Sequence, residues 1–379
     1  MIYSTKYSGG VALGTIVHGY GLAEPNYVAC DGRPLARATY PRLSTLFPIG
    51  RLTGTVRTLA VSPPLFQLAA SPNYFVASTT SGLSTTAIQY SADGAAWSQA
   101  SVVTPSMTVN SLIFAGSRWV ASGASGGALA VTTGDNPNST WAATTGGVTG
   151  GVSRYGLAYS AALGRVISLT TGSTTALQAL DNGSTTLVAK TAPTAKTRVG
   201  ICETGEKFII LNTDGTITTS SDAASSVWVD APLPEVAAGT GGIASNKLGA
   251  VVISGVPSGL LASTDHGVTF VRVAIPGVPA SSSWQVQHSG DRFFVPTALG
   301  VAMSLDGKAW FLEPQLLQAR IEASVFAKKG TTFMQIQASA TAYSFTESAT
   351  HFNAPLIQAY APVASGNPIP LGYSFIKAS

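Results

Sequence analysis

Charged side chains are scarce in this chain. Only 10% of its 379 residues are Asp, Glu, Lys or Arg, and the formal net charge is +4. The basic residues are scattered, and the longest basic run is Lys328-Lys329. Because nucleic-acid binding needs a concentrated basic face, we expect no nucleic-acid partner.

Long apolar segments are missing as well. No stretch of about 18 apolar residues is available to span a membrane. The first residues also lack the charged and apolar regions of a signal peptide. We therefore expect no membrane insertion.

Cysteine is nearly absent. Cys30 and Cys202 lie far apart and match no metal-binding or redox spacing, so we expect two free thiols, no metal site and no cofactor. Long windows rich in Glu, Lys, Leu and Ala, which build surface helices, are also rare. What the chain does contain is many short Val, Ile, Phe and Thr runs broken by Gly, Ser, Pro and Asn, which predict an all-β protein.

A short motif recurs along the chain: Ser or Thr, one residue, Asp and, a few residues later, an aromatic side chain. Two degenerate copies, at Asp181 and Glu347, keep the same spacing. The acidic positions are 93, 135, 181, 222, 265, 306 and 347. A period of 41 to 46 residues over seven copies is typical of a β-propeller.

A second marker keeps the same period. About 13 to 18 residues before each acidic position lies a short apolar strand, such as Tyr74–Ala77 or Arg118–Ala121. Each unit has room for four strands; in the second they are expected at Asn110–Ala115, Arg118–Ser122, Ala128–Thr132 and Thr140–Ala143. The two markers predict a seven-bladed β-propeller of four-stranded blades over residues 55–363.

The motif resembles the Asp-box of bacterial neuraminidase-like repeats, which Ser91-Ala-Asp93-Gly94-Ala-Ala-Trp97 fits in full. The Asp can accept backbone N–H bonds of a tight turn, and the aromatic ring can pack between blades. Because the residues recur in every blade, we interpret them as structural rather than catalytic. The structural set is Asp93, Trp97, Asp135, Trp141, Asp222, Trp228, Asp265, Asp306 and Trp310.

The segment before the propeller is different and resembles the phage tail-collar family. The matching positions are Gly14, Ile16, Pro25, Tyr27, Val28, Cys30, Asp31, Gly32, Leu35, Arg37, Tyr40, Leu43 and Phe47. Asn26 and Tyr27 replace the usual Gly and Trp, and the family's following Pro-Asp-x-Arg-Gly segment is missing. From the residues themselves we expect strands at Ile16-Val17 and Tyr27–Ala29, and a short helix capped by Thr39 with Pro41 in its first turn.

The C-terminal residues 368–379 resemble the closing strand of collar-type tail proteins, which often end in an aromatic residue followed by Ile-Lys-Ala. We therefore expect a small collar-like base domain made of residues 1–54 and completed by residues 364–379. In the alternative, the C-terminal strand belongs to blade seven, although Leu59–Val61 could close the ring instead.

The resemblance implies a structural component of a phage tail, a fibre, spike or baseplate, carried in the virion and made in the host cytoplasm. Its implied partners are other tail proteins, a host-surface glycan or protein, and further copies of this chain in a homotrimer. The candidate receptor contacts near blade junctions are Arg154, Tyr155, Lys196, Trp284 and Arg320. In the alternative, Tyr155 and Trp284 belong to the core beside a first strand. The alternative role for the chain is that of a purely structural baseplate or collar adaptor.

A sialidase-like glycoside hydrolase is the remaining alternative, because Asp-box propellers include sialidases. Such an enzyme needs an arginine cluster, a Tyr–Glu pair and an Asp acid. Arg118, Arg165 and Arg292 share one repeat position and are interpreted as solvated edge residues. The four histidines form no metal or triad motif, and a trimer-axis metal at His18 would lack a second ligand type. We therefore expect no enzyme activity.

Overall fold

The structure is a computed structural model that describes residues 16–19, 27–29, 34–45, 49–60, 65–79, 88–100, 109–123, 129–146, 156–169, 176–191, 195–223, 228–236, 241–276, 278–281, 284–313, 325–336, 342–353 and 373–377. It is all-β, with seven four-stranded blades arranged in a ring, which confirms the predicted propeller. Among these residues no helix has the length and apolar character needed to cross a membrane.

A smaller unit precedes the ring in sequence. Its elements are β1 (Ile16–Gly19), β2 (Tyr27–Ala29), β3 (Pro34–Ala36) and α1 (Pro41–Ser44). Strand β4 (Leu52–Arg57) follows them and belongs to the ring. Helix α1 has Pro41 in its first turn, but Tyr40 rather than Thr39 is the N-cap residue and no side chain caps it, so the predicted Thr39 cap is wrong.

The first three blades follow in chain order, and each runs from the innermost to the outermost strand. Blade one holds β5 (Leu65–Ala70), β6 (Phe75–Thr79), β7 (Ile88–Ser91) and β8 (Ser98–Gln99). Blade two holds β9 (Val109–Ala115), β10 (Arg118–Gly123), β11 (Leu129–Val131) and β12 (Ala142–Ala143), as the sequence predicts. Blade three holds β14 (Leu157–Ser160), β15 (Arg165–Leu169), β16 (Ala176–Asp181) and β17 (Thr186–Thr191), and its outer edge is covered by the parallel strand β13 (Thr145–Gly146).

The other four blades repeat this antiparallel order. Blade four holds β18 (Arg198–Glu203), β19 (Phe208–Asn212), β20 (Thr216–Ser220) and β21 (Val229–Pro232). Blade five holds β22 (Ile243–Ser245), β23 (Val251–Val256), β24 (Gly259–Ser263) and β25 (Val271–Val273). Blade six holds β26 (Gln287–Ser289), β27 (Arg292–Thr297), β28 (Gly300–Ser304) and β29 (Phe311–Glu313), and blade seven begins with β30 (Val325–Lys329), β31 (Thr332–Ile336) and β32 (Ala342–Glu347).

Blade seven takes its outermost strand from the other end of the propeller sequence. The order of its sheet is β30-β31-β32-β4, so the segment before blade one supplies the fourth strand. Arg57 Nε donates a 2.5 Å hydrogen bond to Ser344 Oγ across this pair. Strand β30 lies beside β5, and the ring is closed. Closure is thus made by Leu52–Arg57, which lies just before the segment Leu59–Val61 that was open as an alternative closing strand.

The remaining strands belong to the smaller unit. β33 (His351–Asn353) pairs with β3, and β34 (Tyr373–Lys377) lies between β1 and β2 in an antiparallel sheet. The two ends of the chain therefore meet in one sheet. By its internal contacts this unit comprises Met1–Thr53 and Thr346–Ser379, whereas the propeller unit comprises Gly54–Phe345. The boundary after blade seven falls earlier than the expected residue 363, because β33 pairs with β3.

The cores of the propeller lie between neighbouring blades. Trp141, Trp228 and Trp310 are at most 5% exposed, and each packs in a cluster with apolar residues of the preceding blade. Leu187 takes the same place in the degenerate third copy. Trp97 is half-buried and packs against the cluster shared by blades seven and one. The periodic aromatic side chains therefore pack between neighbouring sheets, and each buries a large apolar area in the core.

The Asp-box turns have the geometry that their chemistry predicts. In blade six Asp306 Oδ1 accepts the N–H groups of Lys308 at 2.8 Å and Ala309 at 2.9 Å, and Ser304 Oγ accepts the Gly307 N–H at 2.8 Å. Gly307 has a φ of +78°, the left-handed region that glycine adopts without strain. Asp93 and Asp265 bind their own turns in the same way.

Asp135 is an exception, and its assignment to the Asp-box set is wrong. The turn of blade two is two residues longer than that of blade six, and Asn136 Oδ1 accepts the Asn138 N–H at 3.0 Å instead. Asp135 Oδ2 accepts a 2.6 Å bond from Asn73 of blade one. The seventh copy, at Glu347, also departs from the pattern. Phe352 stands where the motif has its aromatic residue, but it lies on β33 in the smaller unit.

Two of the three arginines expected to be solvated are buried instead, and Arg165 is partly buried. Arg118 and Arg292 are 6% and 3% exposed. Arg118 donates from Nη1 to Ser184 O at 2.7 Å and from Nη2 to Asp181 O at 2.9 Å, both in the turn of the next blade. Arg165 donates from Nη1 to Asp222 O of blade four at 3.1 Å. The shared repeat position therefore joins consecutive blades.

Replacing Asp306 with Ala should lower the free energy of unfolding by about 1–2 kcal/mol, because two turn N–H groups lose their acceptor. Burial alone would raise the pKa of Asp306, but the N–H groups of Ala309 and Lys308 more than offset it and lower the pKa. The carboxylate therefore stabilises the fold above its unfolded pKa of about 3.9, and this contribution is lost as the pH falls through the lower folded value. Urea unfolding at pH 7 and pH 3 measures both effects.

The control is Asp135→Ala, which removes an acid of the same motif but leaves the turn capped by Asn136. We expect it to cost less than Asp306→Ala at pH 7. Equal losses in the two variants would contradict the assignment of Asp306 as a turn cap.

Candidate functional site

The seven inner strands surround a central cavity of about 440 Å³. Every blade contributes to its wall, from Gln67 of blade one to Phe326 of blade seven. Its wall combines polar and apolar groups in similar measure. Four of the polar residues, Gln67, Glu203, Lys247 and His288, are called the channel set below.

Glu203 ends the inner strand of blade four. Its side chain is 5% exposed, and Oε1 accepts the Gly205 N–H at 2.8 Å. Burial raises the pKa of this carboxyl, which the Gly205 N–H and the positive charge of Lys247 only partly counter. The group is thus an acid with an increased affinity for its proton.

Lys247 lies in the turn that follows the inner strand of blade five. Its φ of +61° is unusual for a residue with a side chain. From there Nζ donates a 3.1 Å bond to Tyr159 O of blade three and lies 5.5 Å from the centroid of the Tyr159 ring. Burial lowers the pKa of Lys247 despite the opposing charge of Glu203. The side chain therefore reaches past blade four and places a cation beside the channel.

His288 lies on the inner strand of blade six. Its ring meets the Phe293 ring edge-on, with centroids 4.8 Å apart. Burial lowers the pKa of His288 to about 4, and Lys247 lowers it further, although Asp291 opposes both. The imidazole is therefore neutral at pH 7, and one ring nitrogen can donate while the other accepts.

The sequence did not indicate any of the channel set. These residues have different types and lie near the ends of inner strands, the least regular part of the repeat. Their position in the repeat is the signal that could have identified them. Each is a polar residue at a place where the apolar run of a blade's first strand would be expected to continue toward the second strand.

Lys196, a predicted receptor contact, is held in an ion-pair cluster. Nζ lies 2.9 Å from Asp230 Oδ2 and 3.2 Å from Asp214 Oδ2, and it donates a 2.7 Å bond to Thr216 Oγ1. Only 11% of the side chain is exposed. Lys196 therefore joins the start of blade four to its own strands and is not free to reach a partner.

Trp284 is 2% exposed and packs in the core between blades five and six, so it is not an exposed receptor contact and the core alternative holds for it. The residue precedes an inner strand, and its ring covers Gly259, where an added Cβ would lie 3.0 Å from a ring carbon. The other predicted contacts, Arg154, Tyr155 and Arg320, lie outside the described residues, as does Cys30. Cys202 is a buried free thiol on the channel wall, and burial raises its pKa.

The chemistry that the cavity offers is limited to a few groups. Among the described residues that line it, Glu203 supplies the one carboxylate. In the same part of the chain no three His, Cys, Asp or Glu side chains are grouped to hold a metal ion. Glycoside hydrolysis generally uses a pair of carboxyl groups. The wall thus offers polar contacts and acid–base groups with shifted pKa values, but among its described residues only one of the two carboxyl groups that glycoside hydrolysis uses.

Comparison with known proteins identifies the fold. No protein-family model and no curated protein sequence matches the chain. Among solved structures it is similar to virginiamycin B lyase from Staphylococcus aureus, with a TM-score of 0.59 and 10% identity over 78% of this chain and 99% of the lyase. It is also similar to YCF48 from Cyanidioschyzon merolae, with a TM-score of 0.55 and 14% identity over 77% of this chain and 98% of that protein.

A third similar structure is PorZ, a surface component of the type-IX secretion system of Porphyromonas gingivalis. The TM-score is 0.55 with 10% identity, over 83% of this chain and 40% of PorZ. At these identities the likeness shows the seven-bladed fold alone. One neighbour is an enzyme and another a surface component, so the fold does not decide the function.

Replacing Lys196 with Met should lower the free energy of unfolding by about 1 kcal/mol at pH 7, a modest value because the partner carboxylates are partly exposed. Burial would raise the pKa of Asp214, but the Thr216 hydroxyl and Lys196 more than offset it and lower the pKa. The ion pair therefore stabilises the fold above the unfolded Asp pKa of about 3.9 and weakens as the pH falls. Chemical unfolding at pH 7 and pH 3 should show a smaller loss at pH 3 than at pH 7.

The matched control is Lys207→Met, since the Lys207 side chain makes no ion pair among the described residues. It should change the stability little at either pH. A loss for Lys196→Met that persists unchanged at pH 3 would show that packing rather than charge holds this cluster.

Proposed function

We propose that the chain is a phage tail component that attaches through its smaller unit and binds the host surface through its propeller. The observation that carries the proposal is the sheet β1-β34-β2, in which the C-terminal strand lies between two strands of the collar-like segment. The propeller is thus an insertion within a unit built from both ends of the chain. The collar-like residues Leu35 and Leu43 are 4% and 0% exposed, as expected of a packed attachment unit.

The propeller has properties that suit recognition. Its blades are tied together by buried arginines and by a closing strand, so it can present loops on a rigid frame. Few charges are available for non-specific ionic contacts, which favours a partner recognised through hydrogen bonds and aromatic groups. A host glycan or surface protein has that chemistry, and three copies in a homotrimer would add avidity.

Two alternatives remain distinct from this proposal. In the first, the chain is a structural baseplate or collar adaptor, whose propeller contacts only other tail proteins. In the second, the cavity is catalytic, which the opposite pKa shifts of Glu203 and Lys247 favour because such shifts are common in proton-transferring groups. We place this below binding because the described lining holds a single carboxylate.

A competition assay tests the host-binding role. Purified protein in excess should block adsorption of the phage that carries it, because the free propeller occupies the receptor. The measurement is the fraction of unadsorbed phage against protein concentration, with heat-denatured protein as control. Unchanged adsorption, together with a propeller packed against other tail proteins in the particle, would favour the adaptor instead.

A truncation separates attachment from binding. Deleting residues 369–379 removes β34, so the sheet that joins the two chain ends cannot form, whereas the propeller unit retains all its blades. The truncated protein should still compete for adsorption but should be lost from purified particles, as measured by immunoblotting. Normal incorporation of the truncated protein would contradict the attachment role of the smaller unit.

A further inference from the structure

We infer that the central cavity is a binding site for a small neutral sugar, a mono- or disaccharide, held by Gln67 and His288. This inference does not rest on the phage role, because it concerns the propeller channel alone. It follows from the chemistry of the buried polar groups on the channel wall.

Gln67 is the first of these groups. It is 7% exposed, it lines the cavity, and its amide nitrogen has no hydrogen-bond partner. A buried amide nitrogen without a hydrogen-bond partner destabilises the fold, and most buried polar groups in native proteins are paired. A bulge in β5 between Leu65 and Gln67 shifts the register at this residue. Bulges commonly redirect a side chain beside a binding site.

His288 is the second group. Its Nε2 is buried and has no hydrogen-bond partner, and the residue also lines the cavity. With its pKa lowered to about 4, the ring is neutral and can offer an acceptor or a donor at that nitrogen. The amide of Gln67 donates. Vicinal hydroxyl groups each donate and accept, so a ligand that carries them can pair with the Gln67 amide and with His288 Nε2 in either tautomer.

The charges of the wall favour a neutral ligand. Lys247 and Glu203 carry opposite charge, so an added carboxylate or ammonium on the ligand would be attracted by one and repelled by the other. Tyr159 and Phe114 are half-buried and line the same wall, and their rings also pack against the cores between blades. The cavity of about 440 Å³ falls in the range of small-molecule sites.

The test measures binding to the full-length protein by saturation-transfer NMR and calorimetry. The probes are methyl glucoside, methyl galactoside and N-acetylglucosamine, with glucuronate and glucosamine as charged counterparts. At least one neutral sugar should bind with a Kd on the order of 1 mM, as a ligand of this size allows. Both charged counterparts should bind more weakly.

Two variants locate the site. Gln67→Leu and His288→Phe should each weaken binding at least tenfold. Gln67→Leu should keep or raise the melting temperature, because it removes an unpaired buried amide. Ser122→Ala is the matched control: its hydroxyl is also buried and unpartnered, but it does not line the cavity, so binding should persist.

The inference is overturned if no neutral sugar binds, if a charged counterpart binds better, or if Gln67→Leu and His288→Phe leave binding intact. It is also overturned if Gln67→Leu destabilises the protein without affecting sugar binding, since the amide would then serve the fold. A negative result in the adsorption assay does not contradict the sugar site, because the sugar need not be the host receptor.

Discussion

The burial of each blade against its two neighbours is the constraint on which the rest of the propeller depends. A four-stranded sheet with apolar faces on both sides cannot be stable alone, and here each sheet shares a core with the blade on either side. The tryptophan side chains fill these cores, and the stacked rings of Phe294 and Phe326, 5.1 Å apart, serve the interface between blades six and seven. The Asp-box turns and the buried arginines fix the outer ends of the same interfaces.

The channel is a consequence of the same packing. Seven inner strands leave a space on the axis that their own side chains must line, and the repeat does not dictate which side chains those are. The aromatic side chains between sheets and the turn caps are therefore similar from blade to blade, whereas Glu203, Lys247 and His288 occur once each. Differences between blades are where a propeller can acquire a site without loss of its frame.

The propeller was predictable because its signals are local and repeated. An Asp that caps a turn and an aromatic that follows it depend on nearby residues, so the period, the blade number and the strands of blade two could be predicted from sequence. Asp135, Arg118 and Trp284 could not be placed from sequence because their surroundings come from other blades or from two extra turn residues. The channel set was missed for the same reason: its members are far apart in sequence and meet only on the axis.

The closing strand has a consequence for how the molecule is assembled. Arg57 and its partner Ser344 are 287 residues apart, so β4 is synthesised long before the sheet that receives it. Until blade seven exists, the ring stays open and β4 has no sheet to join. Contacts of such long range form slowly, and once β32 has formed, β4 of a second copy can pair with it in place of the chain's own β4. Crowded synthesis therefore favours strand-exchanged dimers, and dilution favours closed single rings.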